Sequence, residues 1–368
     1  MSGSGNWAGR NVFLTGHTGF KGGWLALWLH QLGARVHGYS LEPPTEPSLF
    51  EVAGVGAVLA SDRRGDLDDY AALAQALQDA TPDVVFHLAA QPLVREAYRN
   101  PLETFRSNTQ GTAHLLEAAR RATMLKAVVV ITTDKVYRIE EWAYPYRESD
   151  YLGGSDPYSA SKAAAEIIVE SYRSSFFGRD GHPAHVASAR AGNVIGGGDW
   201  AAERLVPDCF RASDDQRDLE LRFPQAVRPW QHVLEPLAGY LQLADHLCGP
   251  NGDEFAKAWN FGPDGSGDAT VGYVAQMMME LAGTGQRVVV PPRADNLHET
   301  GLLRLDSSLA RATIDWLPRW TLGEALDRTA AWHTAWRGGT DMHAFTLTQI
   351  ADYGGAGGAA PAPASPLQ

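Results

Sequence analysis

Tyr158 and Lys162 stand four residues apart, a spacing that places two side chains on the same face of a helix. Asp156 and Pro157, directly before them, are typical of an N-cap and of a first helical position, so a helix is predicted to begin here. A free phenol has a pKa of about 10, and a neighbouring ammonium favours its ionised form. Tyr158 could therefore take a proton from a hydroxyl group at neutral pH. A Tyr–Lys pair on the protein surface is the alternative interpretation.

A second polar group, Thr133-Asp134-Lys135, follows the apolar segment at 127–131. That segment predicts a buried strand, and ligands bind at the carboxyl ends of strands in open α/β sheets. Three adjacent reactive side chains at such a position indicate a site. On position alone, a polar turn explains them equally well.

Gly16, Gly19 and Gly22 form a GxxGxxG pattern between an apolar strand at 11–15 and a helix that Gly33 ends. Glycines let backbone amides approach a diphosphate, and the N-terminus of the helix adds partial positive charge. In this strand–turn–helix context the pattern predicts a dinucleotide-binding loop. It is the form used by the extended short-chain dehydrogenases. The lysine spacing of the P-loop motif is absent.

The second strand, predicted at 35–39, lacks the usual acidic residue at its end, where Ser40 and Leu41 stand before Glu42. That acid normally binds the adenosine ribose and rejects a 2′-phosphate. No arginine stands directly at the strand end to bind a 2′-phosphate, so NAD is favoured over NADP. Asp66 could approach the adenine, although a solvated loop acid is a close alternative.

The apolar strands alternate with helices, predicted near 70–79 and 101–121 among others, which indicates a parallel sheet covered on both faces. We predict the α/β class: a Rossmann-type doubly wound parallel sheet with a smaller, interleaved α/β C-terminal substrate lobe. The predicted divisions are an NAD-binding domain (1–190 plus about 228–262), a second lobe (about 191–227 and 263–353), which the resemblance given below implies to be nucleotide-sugar-binding, and a disordered tail (354–368).

The composition narrows the class of protein. The chain has 368 residues and a formal charge of −12, and no basic stripe that would bind nucleic acid. Two distant cysteines cannot form a disulfide scaffold, and the histidines lack metal-ligand spacing, so no metal is predicted. No apolar stretch approaches the length of a membrane span, and the Gly/Ser-rich start lacks a signal-peptide core. We expect a soluble cytoplasmic protein.

Seven motifs together resemble one group of enzymes. They are TGHTGFKGGWLALWL, HLAAQPLVR, ITTDKVY, DPYSASKAAAE, RAGNVIGGGDW, RPWQHVLEPL and WNFGP. The resemblance is to the CDP-glucose 4,6-dehydratases, a branch of the extended short-chain dehydrogenase family, and it covers about residues 11–353. The dehydratase branch is indicated mainly by Thr133-Asp134-Lys135 and by the GHTGFKG and RPWQHV motifs.

The resemblance implies an internal redox reaction with tightly bound NAD, which is regenerated each cycle. Tyr158 takes the proton of the 4-hydroxyl while C4 gives up a hydride. Water is then eliminated across C5 and C6, and the hydride returns to C6. Thr133 is implied as a hydrogen-bond donor to O4 and Asp134 as the acid at O6. Lys135 occupies the position of a glutamate base in related dehydratases, so it is either a neutral base at C5 or a charged group that stabilises the enolate.

The resemblance also assigns binding residues and a partner. The implied cofactor residues are Gly16, Thr18, Gly19, Phe20, Gly22, Asp66, Ala89, Gln91, Asn108, Tyr158 and Lys162. The implied substrate residues are Asn193, Arg204, Arg228, His232 and His298. For Asn108, core packing is an equal alternative. In the family, the helices predicted at 101–121 and 157–174 pair with their symmetry mates, which implies a homodimer through a four-helix bundle.

Other functions remain open at this point. An epimerase or decarboxylase, or a dehydratase of a UDP-, dTDP- or GDP-sugar, would share the glycine loop, Tyr158 and Lys162. A non-catalytic NAD-sensing protein is disfavoured because it needs no phenolate. The choice of CDP-glucose comes from the resemblance alone, since no residue pattern identifies cytidine.

Overall fold

The computed structural model describes residues 7–140, 142–178, 181–265, 267–283, 285–290 and 301–355. The strands are β1 (Asn11–Thr15), β2 (Arg35–Ser40), β3 (Ser61–Arg64), β4 (Val84–His87), β5 (Ala127–Ile131), β6 (His185–Ala191), β7 (Asn193–Ile195), β8 (Leu219–Glu220), β9 (Val227–His232), β10 (Ala258–Phe261), β11 (Asp268–Thr270) and β12 (Val288–Val289). The helices are α1 (Phe20–Gln31), α2 (Leu49–Val52), α3 (Tyr70–Ala80), α4 (Val94–Arg99), α5 (Pro101–Phe105), α6 (Gly111–Ala119), α7 (Pro157–Phe176), α8 (Leu205–Asp214), α9 (Leu234–Leu247), α10 (Gly252–Phe255), α11 (Val271–Ala282), α12 (Ser308–Ile314), α13 (Leu322–Arg337) and α14 (Met342–Gly355).

Seven parallel strands form the central sheet, in the order β10-β6-β5-β4-β1-β2-β3. The chain starts in the middle, winds outward through β2 and β3, and then returns to β4 on the other side of β1. This reversal opens a crevice at the carboxyl ends of β1 and β4, where doubly wound sheets bind ligands. The predicted Rossmann-type fold is confirmed. The charged edge strand β3 was not predicted, because its SDRR sequence carries no apolar signal.

Apolar clusters cover both faces of this sheet. One contains Trp24 and Leu27 of α1 together with residues of α9 and α14, and the other contains Leu73 of α3, Leu115 of α6 and Val169 of α7. Strands β4 and β5 are buried along their whole length. A strand covered on both faces is mostly apolar, which explains the sequence of β5 and the first three residues of β4. His87, which ends β4, is buried with its ring nitrogens in contact with the hydroxyls of Thr15 and Thr112.

A smaller lobe follows β6. Its three-stranded sheet has the order β11-β9-β7, and its core joins residues of α8, α11 and α13. The segment predicted to return to the NAD-binding domain, about 228–262, divides in the structure. Strand β9 pairs with β7 and β11, whereas α9 packs on the central sheet and β10 forms its edge.

The helix predicted over 101–121 is interrupted, which corrects that expectation. A π-helical segment, Arg106–Gln110, separates α5 from α6. Within it, the side chain of Asn108 bonds to neighbouring elements, and a side chain on Gly111 would meet Leu67 at 2.8 Å. Such π segments occur often at functional sites.

The C-terminal tail prediction meets the structure only at its start. Gly354 and Gly355 end helix α14, and the rest of the predicted tail lies outside the described residues. Within the ranges given above, no helix is both long and apolar enough to cross a membrane.

Candidate active site

The glycine loop leads from β1 into α1 and forms a tight cradle. Gly16 has a φ of +77°, and a Cβ on it would lie 2.7 Å from the backbone nitrogen of Ala89. A Cβ on Gly22 would lie 2.0 Å from the carbonyl oxygen of Gly16. A side chain at either position would therefore push the loop away from β4 or from the helix, and these two glycines set the shape of the cradle.

The first turn of α1 faces this cradle with its backbone N–H groups uncapped by any side chain. Uncapped N–H groups and the positive end of the helix dipole favour an anion such as a diphosphate. Thr18 is buried, and its hydroxyl contacts the Ser40 hydroxyl at 2.8 Å and the Leu41 carbonyl at 3.0 Å, so it joins the loop to the end of β2. Phe20, the first residue of α1, lines the cavity described below.

The adenosine side of the cradle carries charged groups from a neighbouring strand. Arg64, at the end of β3, lies 3.2 Å from Glu42 and 3.2 Å from Asp62. Carboxylates thus stand near the end of β2 although the strand itself ends in Ser40. Asp66 follows β3, and its carboxylate accepts the N–H of Asp68 at 3.0 Å.

The segment after β4 forms the other side of the crevice. Ala89 donates its N–H to the Thr15 hydroxyl at 3.2 Å. Gln91 donates its N–H to Asn108 at 2.7 Å, and Asn108 in turn donates to the Gln91 carbonyl and to the Ser161 hydroxyl. Both N–H donors of the Asn108 amide and its oxygen bond to these protein groups. It connects the crevice wall to helix α7, and the structure favours the alternative of a packing role over cofactor contact.

Tyr158 and Lys162 both lie in the first turns of α7, whose N-cap, Asp156, accepts the N–H of Ser159 at 3.0 Å. Burial raises the pKa of Tyr158 to about 12, partly offset by its hydrogen bond with Thr133. Burial, together with the charge of Lys21, lowers the pKa of Lys162 to about 7. The ammonium of Lys162 donates to the Ile131 carbonyl at 3.2 Å. The expected lowering of the phenol pKa by Lys162 does not occur among the protein groups alone.

After β5, Thr133 is the N-cap of a one-turn 3₁₀ helix that covers Asp134–Val136. Asp134 is buried and accepts a hydrogen bond from the Thr133 hydroxyl at 3.0 Å. The ammonium of Lys135 lies 3.5 Å from the same carboxylate oxygen. The other oxygen of Asp134 is buried without a partner among the described residues. An acid, a cation and the phenol of Tyr158 therefore converge on one point.

A cavity of about 450 Å³ opens in front of these residues, a size typical of small-molecule sites. Its walls combine the end of the central sheet with the smaller lobe. The predicted residues that line it are Phe20, Thr133, Asp134, Lys135, Tyr158, Asn193, Arg204 and Arg228. Arg204 forms an ion pair with Asp199 at 2.8 Å, which fixes its position at the wall.

One predicted substrate residue lies in the core and not at the cavity. His232 is completely buried, with its ring between Trp24 and Trp320 at centroid distances of 5.9 Å and 4.8 Å. Burial lowers its pKa to about 3, so the predicted role in substrate binding is corrected to a neutral residue of the aromatic core. His298 lies outside the described residues.

A buried network beneath the site was missed by the sequence analysis. Glu166, one turn after Lys162, forms a two-point ion pair with Arg190 at 2.9 Å and 3.0 Å. Its carboxylate also accepts the hydroxyls of Thr132 at 2.5 Å and Ser188 at 2.6 Å. This carboxylate ties α7 to the ends of β5 and β6. The sequence did contain an indication of this network, because Glu166 lies on the same face of the predicted helix as Lys162.

Lys21 is a further residue of the cavity wall, and the sequence analysis assigned it no role in binding. Its charge neighbours are Arg204, Asp134 and Asp199, and burial is the main reason that its pKa is lowered to about 8. The missed signal was a basic residue inside the glycine loop itself.

Comparisons with known proteins agree with this geometry. A family model described as GDP-mannose 4,6 dehydratase matches residues 13–329. The CDP-glucose 4,6-dehydratase of Salmonella typhimurium is 45% identical over 350 residues, which cover 94% of this chain and 97% of that protein.

Solved structures share the fold at lower identity. An epimerase from Methanothermobacter thermautotrophicus has a TM-score of 0.78 and 23% identity, covering 92% of this chain and 96% of its own. A dTDP-glucose 4,6-dehydratase from Bacillus anthracis, solved in complex with NAD, has a TM-score of 0.72 and 20% identity, with coverages of 88% and 96%. The family model spans most of the chain, and the Salmonella enzyme matches it nearly end to end. The chain therefore belongs to the GDP-mannose 4,6-dehydratase family.

Proposed function

We propose that this protein converts CDP-glucose to CDP-4-dehydro-6-deoxyglucose and water, with NAD as a cofactor that is restored in each cycle. The observation that carries the proposal is the convergence of Tyr158, Asp134 and Lys135 on one cavity beside a diphosphate cradle. Oxidation of the sugar at C4 by NAD needs only one proton acceptor from the protein, the phenol of Tyr158. An acid and a second amine next to it suit an elimination that follows the oxidation.

The cradle fits a dinucleotide. Gly16 and Gly22 leave no room for a side chain where a diphosphate would approach the uncapped N–H groups of α1. The carboxylates of Glu42 and Asp62 near the end of β2 both pair with Arg64. The choice of NAD is supported by the Bacillus anthracis dehydratase, which was solved in complex with NAD. Bound NAD would supply the transient oxidation at C4 and the reduction at C6, and its positively charged oxidised ring would favour the phenolate of Tyr158.

Proton transfers follow from the positions of the side chains. Tyr158 takes the proton of the 4-hydroxyl, while Thr133, in hydrogen-bond contact with Tyr158, holds O4 in place. The resulting 4-keto group acidifies the C5 proton. Asp134 donates a proton to the 6-hydroxyl as it leaves as water, and its partnerless oxygen is free to meet that hydroxyl.

Lys135 completes the elimination at C5. As a neutral amine it takes the C5 proton, and as an ammonium it stabilises the negative charge of the enolate. Its position 3.5 Å from Asp134 suits a base at C5 beside an acid at the adjacent C6. A substitution of Lys135 by methionine removes both functions, whereas arginine preserves only the charge, so the two variants separate the alternatives.

The choice of CDP-glucose rests on the Salmonella relative, which is named for that substrate. The cavity supports a nucleotide sugar in general, because Arg204 and Arg228 place guanidinium groups in its wall although the whole chain is acidic. Guanidinium groups bind phosphate oxygens in a two-point geometry.

We also propose a homodimer through α5 and α7, which pack against each other. Leu102 is 84% exposed on α5 and Ile167 is 60% exposed on α7. Apolar side chains this exposed on two adjacent helices fit an interface with a second copy. Glutamate at both positions should give a monomer in sedimentation velocity.

We place the protein in the cytoplasm, since Cys209 and Cys248 are both free thiols, as is usual in a reducing compartment.

The test is to incubate the purified protein with CDP-glucose and, in parallel, with UDP-, GDP- and dTDP-glucose, without an external electron acceptor. Loss of one water from CDP-glucose without accumulation of NADH is expected. A faster loss from another nucleotide sugar would correct the substrate. A product of unchanged mass would indicate an epimerase and contradict the proposed elimination.

A further inference from the structure

Lys21 is a cation in an unfavourable place. It is the second residue of α1, where the positive end of the helix dipole repels an ammonium. Its side chain is partly buried in the cavity wall, and Arg204 adds a further repulsive charge. Burial and repulsion both act against a charged side chain, so a negatively charged group is needed to stabilise it.

No carboxylate within the described part of the chain fills that need. Asp134 and Asp199 are the acidic groups that face Lys21, but Asp134 lies 3.5 Å from Lys135 and Asp199 lies 2.8 Å from Arg204. Among the described residues, Lys21 makes no hydrogen bond or ion pair of its own. A cation that is partly buried, without a partner and at a ligand cavity indicates a ligand anion.

The dinucleotide and the nucleotide sugar of the proposed reaction both carry a diphosphate. The position of Lys21 indicates which of the two it contacts. Lys21 belongs to the glycine loop, one residue before Gly22, whose missing side chain shapes the cradle. Its charge also acts on Lys162, a buried lysine of α7. Arg204 and Arg228 follow β6 and belong to the smaller lobe, although Arg204 is near enough to repel Lys21. Lys21 is therefore on the dinucleotide side.

We propose that the ammonium of Lys21 binds the diphosphate of the dinucleotide and retains the cofactor between catalytic cycles. This role rests on the proposed use of NAD, and it assigns Lys21 to binding and positioning with no part in the proton transfers. It also explains why Lys21 is tolerated near Lys162 and the other basic groups. The two negative charges of the diphosphate offset their positive charges.

The test measures dinucleotide binding by calorimetry on nucleotide-free, full-length protein. Loss of one charge-assisted hydrogen bond should raise the Kd for NAD by about 10- to 100-fold in Lys21→Met. Lys21→Arg, which keeps the charge, should stay within about threefold of the unchanged protein. Lys126→Met is the matched control, since Lys126 pairs with Asp83 at the amino ends of β5 and β4, away from the crevice, and should leave binding unchanged.

Further probes separate a diphosphate contact from a nicotinamide contact and from a purely structural role of Lys21. ADP-ribose carries the diphosphate without the nicotinamide and should lose affinity in Lys21→Met by the same factor as NAD. CDP should bind equally to all variants. The Kd for NAD should also rise less steeply with salt in Lys21→Met than in the unchanged protein. A merely structural role would not change the salt dependence.

Several outcomes would overturn the proposal. They are an unchanged Kd for NAD, a loss confined to CDP, or a loss for NAD that ADP-ribose does not share. Thermal unfolding of the nucleotide-free variants should show that Lys21→Met is at least as stable as Lys126→Met, because removing a cation without a partner relieves repulsion. Binding is measured without turnover, so a failure of the dehydratase proposal would leave this result interpretable.

Discussion

Replacing Glu166 by glutamine should strongly destabilise the protein. Glu166 and Arg190 are 4% and 3% exposed, and the carboxylate also accepts the hydroxyls of Thr132 and Ser188. The substitution leaves the guanidinium buried without its counter-charge. Removing one partner of a buried ion pair costs about 3–5 kcal/mol of unfolding free energy. Urea unfolding followed by far-UV circular dichroism measures that loss.

The matched control is Glu170→Gln, one turn further along α7. Glu170 also pairs with an arginine, Arg173, but its side chain is 60% exposed, so the change should cost less than about 0.5 kcal/mol. If Glu166→Gln is no more destabilising than Glu170→Gln, the reasoning about the buried network is refuted.

The contribution of Glu166 to the unfolding free energy should depend on pH in a definite direction. Burial alone would raise the pKa of Glu166, but Arg190 and the hydroxyl hydrogen bonds lower it below its ordinary value of 4.5. The stabilisation is therefore present above pH 4.5 and is lost as the pH falls through the lowered value in the folded protein. The difference in stability between the unchanged protein and Glu166→Gln should shrink under those acidic conditions.

Further predictions address the cradle, the chemistry and a second buried acid. Gly22→Ala should abolish NAD binding in calorimetry without unfolding the protein, because the new Cβ would lie 2.0 Å from the Gly16 carbonyl oxygen. Asp134→Asn should retain NAD binding but lose more than about 100-fold in the rate of water loss followed by mass spectrometry, since an amide cannot supply the proton; a rate near that of the unchanged protein would remove Asp134 from the mechanism. Burial raises the pKa of Glu235 from 4.5 to about 7, so stability should be full below pH 4.5 and fall as the pH rises through 7. Glu235→Gln should flatten that fall in thermal unfolding measured across the same pH range, and an unchanged slope would contradict this assignment.

Much of the central sheet could be predicted because its signals are local. Strand β5 was predicted with its observed bounds, and the capping residue Asp156 correctly located the start of α7. Strand β3 could not be predicted, since its residues are charged and exposed and only pairing with β2 makes them a strand. The π segment at 106–110 depends on contacts with distant residues, which the local pattern of a single helix does not contain.

The candidate site shows the same division. The glycine loop and the Thr133-Asp134-Lys135 triplet carry their chemistry in adjacent residues, and the structure brings both to one crevice. His232 was misassigned because a histidine beside arginine and tryptophan in sequence gives no indication of which side chain faces the core. The pKa of Tyr158 depends on burial, a property of the whole fold, and so it could not be inferred from the spacing to Lys162.

The central claim is that one molecule of sugar is both oxidised and reduced in the same cavity. The most direct measurement uses CDP-glucose with deuterium at C4 and examines the product by mass spectrometry and proton NMR. Internal redox predicts loss of one water with the deuterium found on C6 and no accumulation of reduced cofactor. A product of unchanged mass, or a dehydrated product without deuterium on C6, would contradict the account.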